Sequence, residues 1–251
     1  MPLKLMYITN SEDVAHIAEE AGVDRIFVDM EYIGKTDRQG GMDTVQSRHT
    51  ADDVRRLAQC LNKSELFVRV NPIHEKTDKY SSSKEEIDEV IEAGADLLML
   101  PYFKTAEEVQ TFVKYVDGRA KTVLLVETPE AAAIAENLVK IPGIDEMFIG
   151  LNDLSLGYGK NFMFELLLDG TVEELCLKFR KGGIPYGFGG IASLGKGMLP
   201  SEYVIKEHYR LGSTCAILSR SFCRTGQVTD LKEIQKIFEI ELPKIRELEE
   251  E

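Results

Sequence analysis

The sequence contains no tryptophan, few cysteines and fewer basic than acidic residues. It also lacks long apolar runs. The last three of these deficits each argue against a class of protein. Its four cysteines form no CxxC pair, which argues against a disulfide framework and against a cysteine-based zinc site. No stretch approaches the run of about 18 apolar residues that a membrane span requires. The first residues, MPLKLMYITNSED, lack the basic flank and apolar run of a signal peptide. We therefore expect a cytoplasmic protein that does not contact a membrane.

Positive charge is also in deficit. The 251 residues include 30 Lys and Arg against 43 Asp and Glu, which gives a formal net charge of −13. Because proteins that bind the phosphate backbone present basic surfaces, this balance argues against a nucleic-acid partner. Hydrophobic residues make up 43% of the chain, which is enough for a sizeable core. The composition favours a globular protein whose partners are small molecules.

Eight apolar runs, each followed by a helical pattern, repeat along the chain. The runs are continuous rather than alternating, which indicates strands buried on both faces, as in a parallel sheet. Eight such units predict an α/β fold, a closed (β/α)8 TIM barrel formed by residues 1–251 as a single domain. The alternative is an open doubly wound sheet, which should have a glycine-rich first turn, whereas ITNSED has no glycine. The predicted strands are residues 3–9, 25–31, 65–71, 96–101, 122–128, 146–153, 185–192 and 214–222.

Two long polar connections, residues 32–49 and 71–83, leave the carboxyl ends of the second and third predicted strands. Barrel enzymes carry their active sites at that end, so both loops are expected to be functional. After the seventh strand, GIASLGKGM (190–198) nearly spells a phosphate loop and is a candidate to hold an anionic group of the substrate. The last segment, residues 229–251, has a helical pattern in which Pro243 predicts a break or a kink.

Charged residues end several of the predicted strands. They are Asp29 and Glu31 on the second strand, Arg69 on the third, Glu127 on the fifth and Asp153 on the sixth. Glu127 and Asp153 are expected on adjacent strands at equivalent heights, where two carboxylates repel unless one is protonated or a cation lies between them. With no Cys or His beside them, they suit Mg²⁺ or Mn²⁺. In the alternative interpretation, Asp153 caps the next helix and Glu127 pairs with Arg69.

Several short motifs resemble one family. VETPEA and IPGIDEMFIGLNDLS, with FVRVN, VDME and EAGADLLMLP, resemble the metal-dependent pyruvate aldolases of the HpcH/HpaI type and the neighbouring citrate-lyase beta-subunit enzymes. The resemblance runs from about residue 12 to residue 155, and its most specific part is VET followed by GLNDLS. It implies a barrel of the phosphoenolpyruvate/pyruvate type whose C-terminal helix is exchanged between subunits. It also implies a homo-oligomer, a hexamer or trimer of dimers.

The resemblance implies roles for the charged strand ends. Glu127 and Asp153 would hold the divalent ion, while Arg69 would bind a 2-keto acid and polarise its enolate oxygen. Asp29 and Glu31 would lie one layer further from the substrate and hold these residues in position. The expected substrate contacts are Arg69, Asn152, Asp153 and Arg220, the last of which follows the eighth strand.

The sequence departs from the family pattern at the acid/base group. Relatives follow the D-x-E motif with a histidine that is paired with an aspartate before the third helix. Here Tyr32 follows Glu31, and the place of the aspartate reads Ser82-Ser83. The candidate catalytic replacements are Tyr32 and His49, and the proton could also move through a metal-bound water or an acidic group of the substrate.

The implied activity is that of a divalent-metal-dependent carbon–carbon lyase, an aldolase. Its substrates would be a 2-keto acid such as pyruvate and an aldehyde, for which a sugar is one source. Two alternatives stay open. One is an acyl-CoA lyase like those related to citrate lyase, and the other is a barrel that binds a keto acid without turning it over.

Overall fold

The closed barrel predicted from the sequence is confirmed. The computed structural model describes residues 1–34, 48–225 and 227–250. Its strands are β1 (Lys4–Ile8), β2 (Arg25–Asp29), β3 (Glu65–Arg69), β4 (Leu97–Leu100), β5 (Lys121–Val126), β6 (Glu146–Ile149), β7 (Tyr186–Ile191) and β8 (Cys215–Leu218). All pair in parallel and in chain order, and β1 pairs with β8 to close the barrel. Each predicted run overlaps one strand, so the fold is a TIM barrel.

Helices follow the strands and surround the barrel. In the described residues they are α1 (Glu12–Glu20), α2 (Ala51–Cys60), α3 (Ser83–Glu92), α4 (Ala106–Val116), α5 (Pro129–Ala133), α6 (Ala135–Leu138), α7 (Leu151–Gly157), α8 (Glu165–Leu168), α9 (Thr171–Lys181), α10 (Ser201–Leu211) and α11 (Leu231–Glu250). Thr50, Ser82 and Thr105 begin α2, α3 and α4 with reciprocal capping boxes. Across this described part, no helix combines the length and the apolar character needed to cross a membrane.

The strands are buried on both faces, which explains their continuous apolar runs. One apolar cluster fills the interior of the barrel, and a larger one lies between the strands and the surrounding helices. The interior cluster consists of Met6, Phe27, Phe67, Leu97, Met99, Val123, Leu125, Phe148 and Cys215. This packed interior leaves the carboxyl ends of the strands as the place for a site.

A buried ionic group closes the amino ends of the strands, and we call Arg25, Glu65, Glu146 and Cys215 the floor cluster. Arg25 Nη1 and Nη2 donate to the two carboxylate oxygens of Glu146 at 2.7 and 3.0 Å. Arg25 Nε donates to Glu65 Oε2 at 3.0 Å, and the Cys215 thiol donates to Glu146 Oε1 at 3.3 Å. Because only 1% of Arg25 is exposed, its charge depends on these partners.

The C-terminal helix α11 packs on its own barrel, against α1. The exchange of this helix between subunits that the resemblance implies stays a prediction. Arg246 of α11 donates to the Leu3 carbonyl at 2.7 Å and to Asp24 Oδ2 at 3.1 Å, close to the start of the chain. Of the two alternatives predicted at Pro243, the break is wrong, because α11 runs through it, and the kink stays a prediction. Its buried residues Leu242 and Ile245 anchor the helix on both sides of the proline.

Candidate active site

Arg69 is fixed at the carboxyl end of β3 by the neighbouring strand. Asp29 and Arg69 are the last residues of β2 and β3, and they stand opposite each other in the sheet register. Arg69 Nε donates to Asp29 Oδ1 at 2.8 Å, and Nη2 donates to Asp29 Oδ2 at 2.7 Å. A two-point contact of this kind sets the plane of the guanidinium as well as its position. Asp29 therefore orients Arg69.

Other acids around Arg69 keep it charged. Glu31, two residues beyond β2, is 1% exposed, and its Oε2 lies 3.5 Å from Arg69 Nη1. Burial alone would lower the pKa of Arg69, but the charges of the surrounding carboxylates, Glu127 among them, raise it overall. Arg69 is therefore cationic, and Glu127 is near enough to influence it electrostatically.

Glu127 is held in a fixed orientation one residue beyond β5. It is 3% exposed, and its Oε1 accepts the N–H of Tyr102 at 3.0 Å. Tyr102 has a left-handed φ of 48°, a conformation that costs a non-glycine residue about 1 kcal/mol or more. A Cβ on Gly150 would lie 2.7 Å from the Cβ and 2.9 Å from the Oε2 of Glu127. Glycine at position 150 thus makes room for the carboxylate.

The prediction that Asp153 ends the sixth strand level with Glu127 is wrong. Val126 pairs with Ile149, the last residue of β6, so Gly150 is the residue level with Glu127. The chain then turns, and Asp153 lies half-buried in the first turn of α7. A carboxylate is stabilised there by the partial positive charge of a helix amino terminus. Because this helix begins at Gly150, beside Glu127, Asp153 lies about one helical turn from that corner.

This corner fits a hard divalent cation. Its donors are carboxylate oxygens, as Mg²⁺ and Mn²⁺ prefer. Glu127 is oriented by a backbone N–H, and position 150 has no side chain to fill the space beside Glu127 Oε2. Glu127 and Asp153 are the residues of this corner that could hold the ion.

Tyr32 lies on a loop that is tied to β3 and α3. The N–H groups of Tyr32 and Ile33 both donate to Asn71 Oδ1 at 2.9 Å. Asn71 in turn donates its N–H and Nδ2 to Glu86 Oε1 at 3.2 and 2.8 Å. The Tyr32 ring is 45% exposed and lies 5.4 Å, centroid to centroid, from the ring of Tyr80. Tyr32 is thus fixed both through its backbone and through its ring.

Glu86 was missed by the sequence reasoning, although a signal was present. It lies on the buried stripe of α3, together with Ser83, Ile87 and Val90. An acid at helical spacing among apolar residues indicates a carboxyl group that points into the protein. The sequence analysis counts SKEEIDEV only as one of the helical patterns that follow the apolar runs.

His49 lies at the same end of the barrel. The backbone N–H of Asp29 donates to His49 Nδ1 at 3.0 Å, and the ring is half-buried. Since Nδ1 accepts this bond, the proton of the neutral ring is assigned to Nε2. The contact joins His49 to the residue that orients Arg69, so both Tyr32 and His49 border the arginine side of the mouth.

The serines in place of the family aspartate hold the loop after β3. Ser82 caps α3 in a reciprocal pair with Glu85. Ser83 Oγ accepts the N–H of His74 at 2.8 Å and lies 3.0 Å from His74 Nδ1. These contacts stabilise the loop and the start of α3.

Two predicted substrate contacts lie near the mouth. Asn152 is half-buried in the first turn of α7, and Arg220 is exposed in the turn after β8. Much of the long loop after β2 that was predicted to be functional, residues 35–47, lies outside the described residues.

The loop after β7 does not offer the anion cradle that its sequence suggested. The Gly195 N–H donates to Glu202 Oε1 at 2.7 Å, and the Lys196 N–H donates to the Ser193 carbonyl at 2.9 Å. Two of its donors are therefore used within the protein, and the carboxylate of Glu202 opposes an incoming anion.

A different group of potential ligands lies at the opposite end of the barrel. Among the described residues, the side chains of His16, Glu19 and Glu20 on α1 have ligand atoms within 4.8 Å of one another. Glu19 Oε1 accepts three backbone N–H groups, from residues 62–64 just before β3, at 2.6 to 2.9 Å. This group is close to the amino ends of the strands and plays no part at the mouth.

Comparison with known proteins agrees with the fold and the motifs. A family model described as HpcH/HpaI aldolase/citrate lyase matches residues 4–167, more than half of the chain. A search of curated proteins found no match.

Solved structures share the barrel at low sequence identity. An HpcH/HpaI aldolase/citrate lyase family protein from Burkholderia cenocepacia J2315 has a TM-score of 0.68 and 16% identity, over 93% of this chain and 95% of that one. An HpcH/HpaI aldolase from Desulfitobacterium hafniense DCB-2 has a TM-score of 0.66 and 14% identity, over 94% and 93%. The citrate synthase SbnG has a TM-score of 0.64 and 14% identity, over 94% of both chains. At these identities the likeness shows a common fold, and the family match shows the membership: the chain belongs to the HpcH/HpaI aldolase/citrate lyase family.

Proposed function

We propose that this protein is a divalent-metal-dependent carbon–carbon lyase that joins or separates a 2-keto acid, such as pyruvate, and an aldehyde. The observation that carries the proposal is the cationic Arg69, clamped by Asp29 and electrostatically coupled to the buried Glu127. A fixed cation beside an oriented carboxylate suits a substrate that binds through both a guanidinium and a metal ion.

Some of these residues would stabilise the charge that develops during the reaction, and others would hold those residues in position. Glu127 and Asp153 would hold Mg²⁺ or Mn²⁺, which supplies a Lewis acid that stabilises negative charge on the keto oxygen during bond cleavage. Arg69 binds the anionic keto acid and stabilises the same developing charge from the other side. Asp29 and Glu31 keep the guanidinium in place, so little reorganisation is needed when the charge appears.

Cleavage also needs a group that moves a proton. A base takes the proton from the hydroxyl group of the aldol, the carbon–carbon bond breaks, and the enolate carbon then receives a proton. Tyr32 and His49 are the candidates at the arginine side of the mouth.

Exchange of the methyl protons of pyruvate in D₂O tests the proposal directly, because it reports enolate formation without the aldehyde. Purified protein with Mg²⁺ or Mn²⁺ should catalyse the exchange. Glu127→Gln should lower the rate by about 10²-fold or more, since it removes a carboxylate ligand. The exposed Glu136→Gln is the matched control and should leave the rate unchanged. Absence of exchange with either metal would overturn the proposal.

A second candidate is a citrate-type reaction with an acyl-CoA or a related acid. It is favoured by one observation, the likeness of this barrel to the citrate synthase SbnG. Calorimetry with acetyl-CoA separates the two candidates, because the aldolase is not expected to bind a thioester of CoA. Binding of metal and pyruvate with no exchange would instead indicate a barrel that holds keto acids without turnover.

A further inference from the structure

Three potential metal ligands lie side by side on α1, close to the amino ends of the strands. Glu19 and Glu20 follow His16 by three and four positions, a spacing that places the three side chains on one face of the helix. Their ligand atoms lie within 4.8 Å of one another. We call these residues the α1 triad. An imidazole and two carboxylates form a donor set that Zn²⁺ accepts, with water in the remaining position.

Glu19 is the member of the α1 triad that the protein holds in a fixed orientation. It is 2% exposed, and its Oε1 accepts the backbone N–H groups of residues 62–64 at 2.6 to 2.9 Å. Three donors use the lone pairs of Oε1. In the part of the chain that the structure describes, the buried Oε2 of Glu19 has no hydrogen-bond partner. Because buried carboxylate oxygens normally have a partner, Oε2 is the atom of Glu19 that is left for a cation.

The end of α1 carries negative charge that nothing in the helix balances. Glu19 and Glu20 lie in its last turn, which contains no basic residue. The carbonyl groups at the end of a helix carry partial negative charge, which disfavours carboxylates there and favours a cation. Lys63 Nζ pairs with Glu20 Oε1 at 2.7 Å, but the two side chains are 65% and 51% exposed. Exposed pairs of this kind are weak, so Lys63 offsets the repulsion only in part.

We propose that the α1 triad binds Zn²⁺ through His16, Glu20 and the Oε2 atom of Glu19. A nitrogen ligand beside carboxylates suits Zn²⁺, whereas Mg²⁺ prefers oxygen ligands and Mn²⁺ binds most weakly among the first-row divalent ions. Glu19 contacts the segment before β3 through Oε1 and the ion through Oε2. The ion therefore joins α1 to that segment, and its role is to stabilise the amino end of the barrel.

The two exposed members of the α1 triad allow the ion to enter from solvent. His16 and Glu20 are exposed, so their side chains adjust to the ion at little cost. Glu19 is already oriented by its three backbone donors, which is the kind of support that fixes metal ligands in other proteins. Glu20 gives up its pair with Lys63 when it turns to the ion.

Calorimetric titration with Zn²⁺ tests the inference, in a buffer with excess Mg²⁺ to occupy the proposed site at the mouth. His16→Ala and Glu20→Gln should each lower the Zn²⁺ affinity of the α1 triad by about 10-fold or more, because each removes a direct ligand. Both residues are exposed, so the variants are expected to fold. Asp13→Asn is the matched control, since it removes an exposed acid of the same helix outside the α1 triad. Its Zn²⁺ affinity should equal that of the wild type.

Lys63→Met should have the opposite effect. It removes the cation that competes for Glu20 and keeps the backbone N–H that Glu19 accepts. Zn²⁺ binding should become tighter by up to about fivefold, which is what an exposed ion pair is worth. Weaker binding in this variant would contradict the assignment of Glu20 as a ligand.

Two further measurements locate the ion and its effect. A Zn²⁺-soaked crystal, measured at the zinc absorption edge, should show an anomalous peak about 2.0–2.2 Å from a ring nitrogen of His16 and from Glu19 Oε2. Zn²⁺ should also raise the thermal unfolding midpoint of the wild type more than that of His16→Ala, because the ion binds the folded state.

Equal Zn²⁺ affinity and stoichiometry in the wild type and His16→Ala, or no anomalous peak at the α1 triad, would overturn the inference. An equal rise of the unfolding midpoint in the two proteins would also overturn it. None of these measurements depends on pyruvate exchange, so their failure is distinct from failure of the proposed function.

Discussion

Two arginines mark the two ends of the barrel, and their surroundings differ in one respect. Arg25 is the first residue of β2, and Arg69 is the last residue of β3. Each makes a two-point contact with one carboxylate, Arg25 with Glu146 and Arg69 with Asp29. Each guanidinium carbon also lies 5.7 Å from the centroid of a phenylalanine ring. The same chemistry is therefore used twice.

The two arginines differ in the third guanidinium nitrogen, the one that lies outside the two-point contact. At the floor, all three nitrogens of Arg25 donate to carboxylate oxygens. At the mouth, Nη1 of Arg69 has no hydrogen bond within the described residues, and its contact with Glu31 is an ion pair at 3.5 Å. All the guanidinium nitrogens of Arg25 are therefore used within the floor cluster, whereas Nη1 of Arg69 is left to donate to a bound anion. The two ends illustrate the division in barrel enzymes between stability at the amino ends and chemistry at the carboxyl ends of the strands.

The largest effect is expected at the floor. Arg25→Met should lower the free energy of unfolding by about 3–5 kcal/mol, because it leaves Glu146 buried without its partner. Urea unfolding at pH 7 measures the loss. The double variant Arg25→Met, Glu146→Leu should recover part of it, since removing both charges is far less costly than removing one. A loss in Arg25→Met no larger than that of a surface substitution would contradict the assignment of the floor to stability.

The mouth should show the opposite behaviour. Arg69→Lys should lower kcat/KM for pyruvate exchange by about 10²–10³-fold, because lysine keeps the charge but cannot make the two-point contact with Asp29. Its urea unfolding midpoint should stay near that of the wild type. A variant that loses stability and keeps activity would reverse the roles of the two arginines.

Lowering the pH should reduce the free energy of unfolding, because a histidine is buried near the amino ends of the strands. His208 is fully buried against Phe188, and burial lowers its pKa to about 3 from an ordinary 6.5. Since the unfolded chain binds this proton more tightly, the contribution of His208 to stability is present above pH 6.5 and is lost as the pH falls. From pH 7 to pH 5 the loss is about 2 kcal/mol. Urea unfolding of His208→Gln at both pH values should show a smaller decrease, and equal decreases would remove His208 as the cause.

The smallest effect is expected at Glu19, also near the amino ends. Glu19→Gln should cost about 1 kcal/mol, because a neutral acceptor replaces a charged one for three backbone N–H groups. Burial would raise the pKa of Glu19, but those bonds lower it overall below 4.5, so its contribution is present above that pH and decreases in acid. Thermal unfolding at pH 7 should detect the loss, with unchanged pyruvate exchange. Lower activity would show that the two ends are coupled.

The fold was predictable because its sequence pattern repeats along the chain. Eight continuous apolar runs require a sheet buried on both faces, and no single run decides the result. The carboxyl ends of the strands were harder to predict than the strands themselves. GLND was interpreted as strand because it follows EMFI without a polar break, yet the chain leaves the sheet at Gly150 and Asp153 begins a helix.

A residue of the site was predictable from the sequence only where a charged residue type falls at the end of a predicted strand. Arg69 satisfied both conditions, and the structure places it beside Asp29. The contact of His49 with Asp29 joins residues 20 positions apart along the chain, which no periodicity indicates. Glu86 depends on Asn71, a residue from another element, so its neighbourhood exists only in the folded chain.

A crystal soaked with Mn²⁺ and pyruvate, measured at a wavelength where manganese scatters anomalously, tests the central claim most directly. One strong anomalous peak is expected between the carboxylates of Glu127 and Asp153, with the keto acid between that peak and Arg69. A peak confined to His16, Glu19 and Glu20 on α1, or pyruvate bound away from Arg69, would contradict it.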